Sequence, residues 1–176
     1  FGKIPTMLDA THNGSYSSGM NKLDPKTRAQ IINLLCEGMA IRAIVRVTGA
    51  SKNTISKLAV DMGRACSAYQ DRVLRNLTCK RVQVDEIWSF IYAKNDNVKR
   101  AKSAPVDAGD AWTWTAIDAD TKLLVSFLVA GRDTDSALYF MDDLKQRLAN
   151  RVQLTSDGHR PYLVAVDTVF GDDVDF

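Results

Sequence analysis

Apolar residues recur at helical spacing in the first half of the chain and alternate with polar residues in much of the second. The helical pattern begins at Asp24, which can cap a helix, and Pro25 suits the first turn because that position needs no amide hydrogen. An apolar face follows over Ile31–Leu35, and Gly38 is a typical helix end. These residues predict a first helix.

Two further helices are predicted by the same spacing. A short one covers Ile41–Val45 and leads into a tight turn at Thr48–Ala50. Ser51 then caps a third helix. Its apolar residues stand at i, i+3, i+4 and i+7: Ile55, Leu58, Ala59 and Met62. This helix either continues through Gly63 or breaks there and resumes to about Leu77.

After Lys80 the period becomes two, which predicts a strand over residues 81–92. One face of this strand carries Val82, Val84, Trp88, Phe90 and Tyr92, and the other carries Gln83, Asp85, Ile87, Ser89 and Ile91. Residues 94–110 are polar and predict a loop. The later predicted elements are strands at 111–118 and 123–130, a helix at 134–149, a strand at 152–156 and a helix at 161–170 that ends at Gly171.

The order of elements after residue 80 is β-β-β-α-β-α, which predicts a mixed α/β (α+β) chain. It is compatible with a ribonuclease-H-like sheet if the first three strands are antiparallel neighbours and the fourth joins them after a crossover helix. We predict a disordered tail over residues 1–19, a helix-turn-helix domain over 20–79 and an incomplete ribonuclease-H-like domain over 80–176.

Composition is that of an ordinary globular protein, with 45% hydrophobic and 25% charged residues. The longest apolar runs are of strand length, so we predict no membrane segment, and the sequence shows no secretion signal. The cysteines Cys36, Cys66 and Cys79 form no metal-binding or disulfide pattern. We predict that Cys36 and Cys66 are small core residues, and that the protein is cytoplasmic.

Charge is divided unevenly between the two halves. Residues 1–84 hold 13 Lys and Arg against 5 Asp and Glu, whereas residues 85–176 hold 10 against 16. A basic first half favours nucleic-acid binding. The residues that we expect to contact double-stranded DNA lie on the second and third helices: Arg42, Arg46, Lys52, Asn53, Thr54, Ser56 and Lys57. The alternative is an unrelated three-helix bundle with a solvated basic face.

Two aspartates, Asp85 and Asp157, each lie in or at the end of a predicted strand. Carboxylates held by a sheet suit Mg²⁺ (or Mn²⁺), the ions that support phosphodiester chemistry, so we predict that both residues are catalytic and bind metal. The alternatives are a cap or buried salt bridge for Asp85 and a turn for Asp157. Glu86 points away from Asp85 as a supporting or surface group, and His159 is a further auxiliary candidate.

Other polar and aromatic residues have simpler interpretations. Asp118 and Asp120 are predicted to be turn residues of a hairpin. The three tryptophans, Trp88, Trp112 and Trp114, are predicted to lie in the core on the sheet face, with stacking on nucleic-acid bases as the alternative.

From about residue 20 to the end, the sequence resembles bacterial insertion-sequence transposases of the IS-one type. The segments that carry the resemblance are Met20–Leu23, Ser51–Ile55, Asn76–Arg81, Asp85–Phe90, Trp112–Lys122 and Leu154–His159. The resemblance implies a transposase of the DDE class with a ribonuclease-H-like core and Mg²⁺. It also implies that Asp85 and Asp157 are the first two catalytic acids.

The sequence departs from this family in two ways. It lacks the zinc-binding segment that some relatives carry before the helix-turn-helix, and the third acid, a glutamate on a later helix, has no counterpart. The acidic residues available after Asp157 are Asp167, Asp172, Asp173 and Asp175, and none lies on a further helix. We therefore expect a chain truncated before the third acid, and inactive or nearly so.

Three functional hypotheses remain open on this basis. The first is a transposase that binds the terminal inverted repeats of an insertion sequence as a homo-oligomer and catalyses DNA cleavage and transfer to target DNA. The second is a helix-turn-helix regulator or repressor without catalysis. The third is a gene remnant with an incomplete sheet, which would unfold without cooperativity.

Overall fold

The computed structural model of the protein describes residues 23–176, so the predicted tail over residues 1–19 lies outside the described part. The chain divides into two compact units, with the boundary between Ala65 and Cys66. The change from helical to strand pattern that the sequence predicts after Lys80 lies further along the chain than this boundary, and it coincides with the start of the first strand. We call residues 23–65 unit 1 and residues 66–176 unit 2.

Unit 1 contains helices α1 (Pro25–Cys36) and α2 (Ile41–Thr48) and the start of α3 (Lys52–Val73). The predicted caps are confirmed: Asp24 Oδ1 accepts a hydrogen bond from Thr27 N at 3.0 Å, and Ser51 Oγ accepts one from Thr54 N at 3.1 Å. Gly49 ends α2 with a left-handed φ of 71°, which favours glycine. The buried residues that hold the three helices together are Ile31, Ile44, Ala50, Ile55 and Leu58.

Helix α3 runs through Gly63 without a break and ends at Val73, earlier than the predicted Leu77. Its last turns pack within unit 2, where the Arg147 guanidinium donates to the carbonyls of Gln70 and Leu74 and contacts the Asp71 carboxylate at 3.2 Å. Residues 63–69 are exposed on all sides. The second half of α3 is therefore stabilised mainly by polar contacts.

Unit 2 is built on a five-stranded mixed sheet. Its strands are β1 (Arg81–Ile91), β2 (Gly109–Asp118), β3 (Leu124–Ala130), β4 (Val152–Thr155) and β5 (Val174–Asp175), in the order β3-β2-β1-β4-β5. The pairs β1–β2 and β2–β3 are antiparallel, whereas β1–β4 and β4–β5 are parallel. The predicted arrangement of the first four strands is confirmed, and the chain is of the mixed α+β class.

Helices α5 (Thr134–Arg147) and α6 (Arg160–Val169) pack on the sheet. The largest fully buried side chains of this core are Trp114, Phe140 and Tyr162. Two shorter helices, α4 (Asn95–Val98) and a 3₁₀ helix (Gly171–Asp173), were not predicted, and neither was β5. Among the described residues, no helix has both the length and the apolar character needed to cross a membrane.

Strand β1 has two different halves. Strand β4 pairs only with Arg81–Gln83, and Val82 and Val84 are buried. Within residues 23–176, the rest of β1 has a neighbouring strand on one side alone. The prediction that Trp88 lies in the core is therefore wrong: Trp88 is 39% exposed because the strand extends beyond the core that covers its first half. The same prediction is confirmed for Trp114, which is fully buried.

The prediction that two cysteines are core residues is also wrong. Cys36 and Cys66 are exposed, whereas Cys79 is buried. Cys36 is the last residue of α1, beyond the turn that carries the buried Ile31, and Cys66 lies in the exposed stretch of α3. A helical pattern alone does not show which turns of a helix are covered.

Candidate functional site

The two predicted catalytic aspartates have equivalent positions relative to the paired residues of the neighbouring strands β1 and β4. Val82 is opposite Leu154 and Gln83 is opposite Thr155 in parallel register. Asp85 lies two residues beyond Gln83 on β1, and Asp157 lies two residues beyond Thr155, just past the end of β4. Each aspartate therefore follows the last residue of the β1–β4 pairing on its strand by two residues, on neighbouring parallel strands.

Both aspartates are exposed, and each uses one carboxylate oxygen locally. Asp85 Oδ1 accepts a hydrogen bond from Glu86 N at 2.8 Å, and Asp157 Oδ1 accepts one from His159 N at 3.1 Å. Among the described residues, the second oxygen of each carboxylate makes no hydrogen bond. One oxygen of each residue thus remains available to a ligand.

Asp157 is also a turn residue, which was the alternative to a metal-binding role for it. Its bond to His159 N closes a tight turn, in which Gly158 has a left-handed φ of 87° and its amide donates to Ser156 Oγ at 3.3 Å. The turn holds the Asp157 side chain in place while leaving it exposed. The turn role and a ligand-binding role are compatible in this geometry.

Glu86 lies on the opposite sheet face from Asp85 and is not a surface group. Its side chain is only 1% exposed, and Oε2 accepts hydrogen bonds from the Arg132 guanidinium at 3.0 Å. Oε1 is buried and has no hydrogen-bond partner in the described part of the chain. Glu86 is opposite the fully buried Trp114 of β2, which explains its burial.

His159 and Tyr162 pack against the same tryptophan. The His159 and Tyr162 rings lie 5.8 Å and 5.4 Å from the Trp114 ring, centroid to centroid. His159 Nε2 and the Tyr162 hydroxyl are buried and have no hydrogen-bond partner within residues 23–176. The unpaired atoms of Glu86, His159 and Tyr162 make this a polar site inside an otherwise apolar core.

The surroundings of Tyr162 disfavour ionisation of its hydroxyl. Its pKa is raised, first by burial and then by the adjacent Glu86 carboxylate. The negative charges of Asp157 and Asp85 raise this pKa further. The hydroxyl therefore stays protonated and able to donate a hydrogen bond.

The residues present fit a Mg²⁺ ion with few protein ligands. Mg²⁺ is typically held by one or two carboxylates, with waters and substrate phosphates completing its coordination. Asp85 and Asp157 supply two exposed carboxylates with unused oxygens. Within the described residues, no group of three or more His, Cys, Asp or Glu side chains that could hold a metal ion is found. Any ion held here would therefore depend on other ligands for most of its coordination.

Three of the acidic residues near the end of the sequence contact basic groups instead of the aspartate pair. The Asp173 carboxylate lies 3.2 Å from Lys145 Nζ, and the Asp175 carboxylate accepts from Arg151 Nε at 3.0 Å. Arg151 also donates to the Asp172 carbonyl. These contacts hold the 3₁₀ helix and β5 against the rest of unit 2. The remaining candidate, Asp167, is exposed on α6.

The hairpin aspartates have the predicted turn roles. Asp118 accepts hydrogen bonds from Thr121 N and the Thr121 hydroxyl, and the resulting Asp118 pKa is lowered, chiefly by the hydroxyl. Asp120 forms an ion pair with Arg81. Neither residue contributes to the aspartate pair.

The predicted DNA-contacting residues lie on the surface of unit 1. Arg42 and Arg46 are exposed on α2, and Lys52, Asn53, Thr54 and Lys57 are exposed on the first turns of α3, with Ser56 half-buried. Asn53, Thr54 and Lys57 line a cleft of about 540 Å³ together with Arg28 and Asp61. Lys57 Nζ is 2.7 Å from the Asp61 carboxylate. The arginines of α2 are not part of this cleft.

Sequence reasoning missed Arg132 and Tyr162. Arg132 lies between β3 and α5 where no pattern indicates a role, although it precedes the helix cap Asp133. Tyr162 is on the apolar face of α6, so its spacing predicts a core residue and gives no indication of its polar neighbours. Only the pairing of Glu86 with Trp114 brings these residues together.

No family model matches the chain, and a search of curated proteins found no match.

Proposed function

We propose that the protein is a transposase that binds the ends of an insertion sequence and supports Mg²⁺-dependent cleavage and transfer of DNA strands. The observation that carries the proposal is the parallel register of β1 and β4: Asp85 and Asp157 each follow the last residue of this pairing on their strand by two residues. Each has one carboxylate oxygen without a hydrogen bond in the described part of the chain. The resemblance of the sequence segments around both residues supports the same function.

The chemistry of the site follows from its ligands. A bound Mg²⁺ stabilises negative charge on the phosphate and favours ionisation of an attacking water or hydroxyl. Asp85 and Asp157 would hold the ion, and the rigid sheet under Asp85 and the closed turn around Asp157 keep both carboxylates in position. Tyr162 supports the turn from the core, where its ring packs edge-on against that of His159 with the centroids 5.8 Å apart.

The proposal assigns unit 2 to the ribonuclease-H-like class. Three antiparallel strands followed by a crossover helix and a parallel strand support that assignment. A paired aspartate at adjacent strands on such a sheet is also what the resemblance implies.

For unit 1 the proposal is a helix-turn-helix that contacts duplex DNA. The short α2, the left-handed turn at Gly49 and the capped start of α3 support it. Helix α3 would enter the major groove, where Asn53 can form two hydrogen bonds with adenine and Lys52 can reach guanine or phosphate. Arg42 and Arg46 on α2 would contact the DNA backbone. A cytoplasmic, nucleoid-associated homo-oligomer is part of the same proposal.

Metal binding tests the proposal directly. We expect Mn²⁺, titrated calorimetrically in place of Mg²⁺ in the presence of a phosphate-bearing oligonucleotide, to bind the full chain. Asp85→Asn and Asp157→Asn should each weaken that binding at least about tenfold, because each removes one of two anionic ligands. Asp167→Asn is the matched control, since Asp167 is an exposed aspartate in the last turn of α6.

Strand nicking is the second measurement, on duplexes that carry the terminal inverted repeats flanking the coding sequence. We expect weak or no nicking, because the described residues place only two free carboxylates at the site and loss of one ligand costs several kcal/mol of transition-state stabilisation. Robust Mg²⁺-dependent nicking that Asp157→Asn abolishes would refute this low activity while supporting the metal site.

A DNA-binding regulator is the second candidate function. It is favoured by the separate buried core of unit 1, which gives the helix-turn-helix its own support. Under this reading the Asp85→Asn variant binds Mn²⁺ and duplex DNA as the parent does. Equal Mn²⁺ binding by Asp85→Asn, Asp157→Asn and the parent would therefore overturn the transposase proposal and leave the regulator.

A further inference from the structure

An exposed group of aromatic side chains lies on the sheet face of unit 2, beyond the part that α5 and α6 cover. We call Trp88 and Phe90 of β1 and Trp112 of β2 the aromatic surface. Trp88 is directly opposite Trp112, and the Trp88 and Phe90 ring centroids are 5.7 Å apart. Trp88 and Phe90 are 39% and 48% exposed, and Trp112 is partly exposed.

Cationic side chains lie over two of these rings. Lys94 Nζ is 4.7 Å from the centre of the Trp88 ring, and the Arg132 guanidinium carbon is 4.5 Å from that of Trp112. The position of Lys94 is fixed by its neighbour Asn95, which exchanges two hydrogen bonds with Asp110 at 3.0 and 3.3 Å. Because Arg132 already pairs with Glu86, Lys94 is the one of these two cations that is available to an anionic ligand.

The connection from α4 to β2, which follows Lys94 along the chain, carries three further basic residues. Lys99, Arg100 and Lys102 are all exposed there. Lys99 has one weak partner, Asp96, at 3.9 Å. A ligand of the aromatic surface that also carries negative charge is therefore favoured over a neutral apolar one.

The aromatic surface adjoins the turn that carries Asp157, whereas Asp85 lies on the opposite face of β1. Along β1, Glu86 is the next residue on the same face as Trp88, and it is opposite Trp114. His159, two residues after Asp157, packs on Trp114. The turn that carries Asp157 thus lies at one end of the aromatic surface.

Resting on the proposed function, we infer that the aromatic surface binds unpaired bases of single-stranded DNA, with Lys94 contacting the phosphates. Exposed aromatic rings next to basic groups are the features with which proteins hold single strands, because every base has a face that can stack. Bases within a duplex are already stacked and cannot occupy these rings. The site would therefore hold a frayed or cleaved strand end beside Asp157.

The test is binding of a fluorescent oligothymidylate of about twelve nucleotides, measured by anisotropy with EDTA present so that no metal contributes. We expect Trp88→Ala to weaken binding about tenfold or more, since stacking on one ring contributes roughly 1–3 kcal/mol. Trp88→Phe should retain most of the affinity because a flat ring remains. Lys94→Gln should weaken binding and reduce its dependence on salt.

Ile87→Ala is the matched control. Ile87 is the neighbour of Trp88 on β1, is 60% exposed and lies on the opposite sheet face. It should leave the affinity unchanged. A double variant, Arg42→Gln with Arg46→Gln, separates the two proposed DNA sites: it should weaken duplex binding and spare oligothymidylate binding.

The outcomes distinguish this inference from the proposed function. Equal oligothymidylate affinity of Trp88→Ala and the parent overturns the aromatic surface as a binding site, whatever the metal titrations give. If Trp88→Ala weakens binding while Asp85→Asn leaves Mn²⁺ binding intact, the transposase proposal fails and the single-strand site stands. If sedimentation shows a dimer that Trp88→Ala dissociates and the oligothymidylate affinity is unchanged, the surface joins two copies of the chain instead.

Discussion

Neighbouring residues on one strand have opposite environments in this protein, and the contrast is sharpest at Asp85 and Glu86. Strand alternation exposes the first carboxylate and buries the second. A buried carboxylate is tolerated only with a partner, which Arg132 supplies for one of the two Glu86 oxygens. The buried charge of Glu86 is therefore stabilised by Arg132, which lies in the connection between β3 and α5, where the sequence shows no pattern.

Arg132→Ala should destabilise the protein by about 3 kcal/mol, because it leaves the Glu86 charge buried without a partner. Glu86→Gln should cost less, since the amide is neutral and nearly the same size. The double variant, Glu86→Gln with Arg132→Ala, should be more stable than Arg132→Ala alone. Urea unfolding of the four proteins measures this. If the losses in unfolding free energy of the two single variants add up to the loss in the double variant, a direct pairing of the two side chains is contradicted.

Elements with strong local patterns formed where the sequence predicts them. The caps at Asp24 and Ser51, the apolar faces of the helices and the two-residue period of β1 and β2 each act over a few residues, so each can be identified without knowing the fold. Helix α4 and strand β5 were missed because they are only four and two residues long, too short for any period.

The candidate site was predictable in part. Asp85 and Asp157 stand out because carboxylates interrupt or end apolar strands. The exposure of Trp88 and the burial of the Glu86 carboxylate in the core that contains Tyr162 were not predictable. Both depend on where α5 and α6 stop covering the sheet. That limit is set by contacts between residues distant in sequence.

The end of α3 depends on one polar cluster, formed by Arg147, Asp143 and Asp71. Arg147 is buried and donates to Asp143 at 2.6 and 2.9 Å. Burial alone would raise the pKa of Asp143, but hydrogen bonds from Arg147 and Ser126 together lower it below its ordinary value of 3.8. The charged form of Asp143 is therefore the one that the folded state favours.

Asp143→Asn should lower the stability of the protein by about 2 kcal/mol near neutral pH, the typical contribution of hydrogen bonds to a charged group. Because the folded pKa is depressed, the contribution of Asp143 is fully present above about pH 3.8 and is lost as pH falls through the folded pKa. The melting temperatures of parent and variant should thus converge only in strong acid. Asp142→Asn, exposed on the same helix, is the control. A difference that persisted unchanged at low pH would contradict the linkage.

At the scale of the whole molecule, two hydrophobic cores form in one chain. Ile44 belongs to the core of unit 1 and Leu144 to that of unit 2. All three tryptophans of the sequence, Trp88, Trp112 and Trp114, lie in unit 2. Tryptophan fluorescence therefore reports on unit 2, whereas helical circular dichroism reports on both units.

Ile44→Ala should destabilise unit 1 by about 2–5 kcal/mol, since it leaves a cavity among fully buried residues. We expect the circular dichroism midpoint in urea to fall while the fluorescence midpoint changes little. Leu144→Ala should instead move the fluorescence midpoint. A broad fluorescence transition in the parent protein would favour the gene-remnant hypothesis, whereas a steep one would exclude it. Equal shifts of both signals in Ile44→Ala would show that the two cores unfold together.

The two halves of β1 also differ in how freely their sequence can evolve. Substitutions at Val82 or Val84 must preserve a packed core, so few residues are acceptable there. Substitutions at Trp88 or Phe90 change little that the fold requires, because both side chains are substantially exposed. Selection can therefore alter what the outer half of the strand contacts without first compensating for lost stability. A lineage carrying this sheet could exchange one ligand preference for another through single substitutions on an unchanged scaffold.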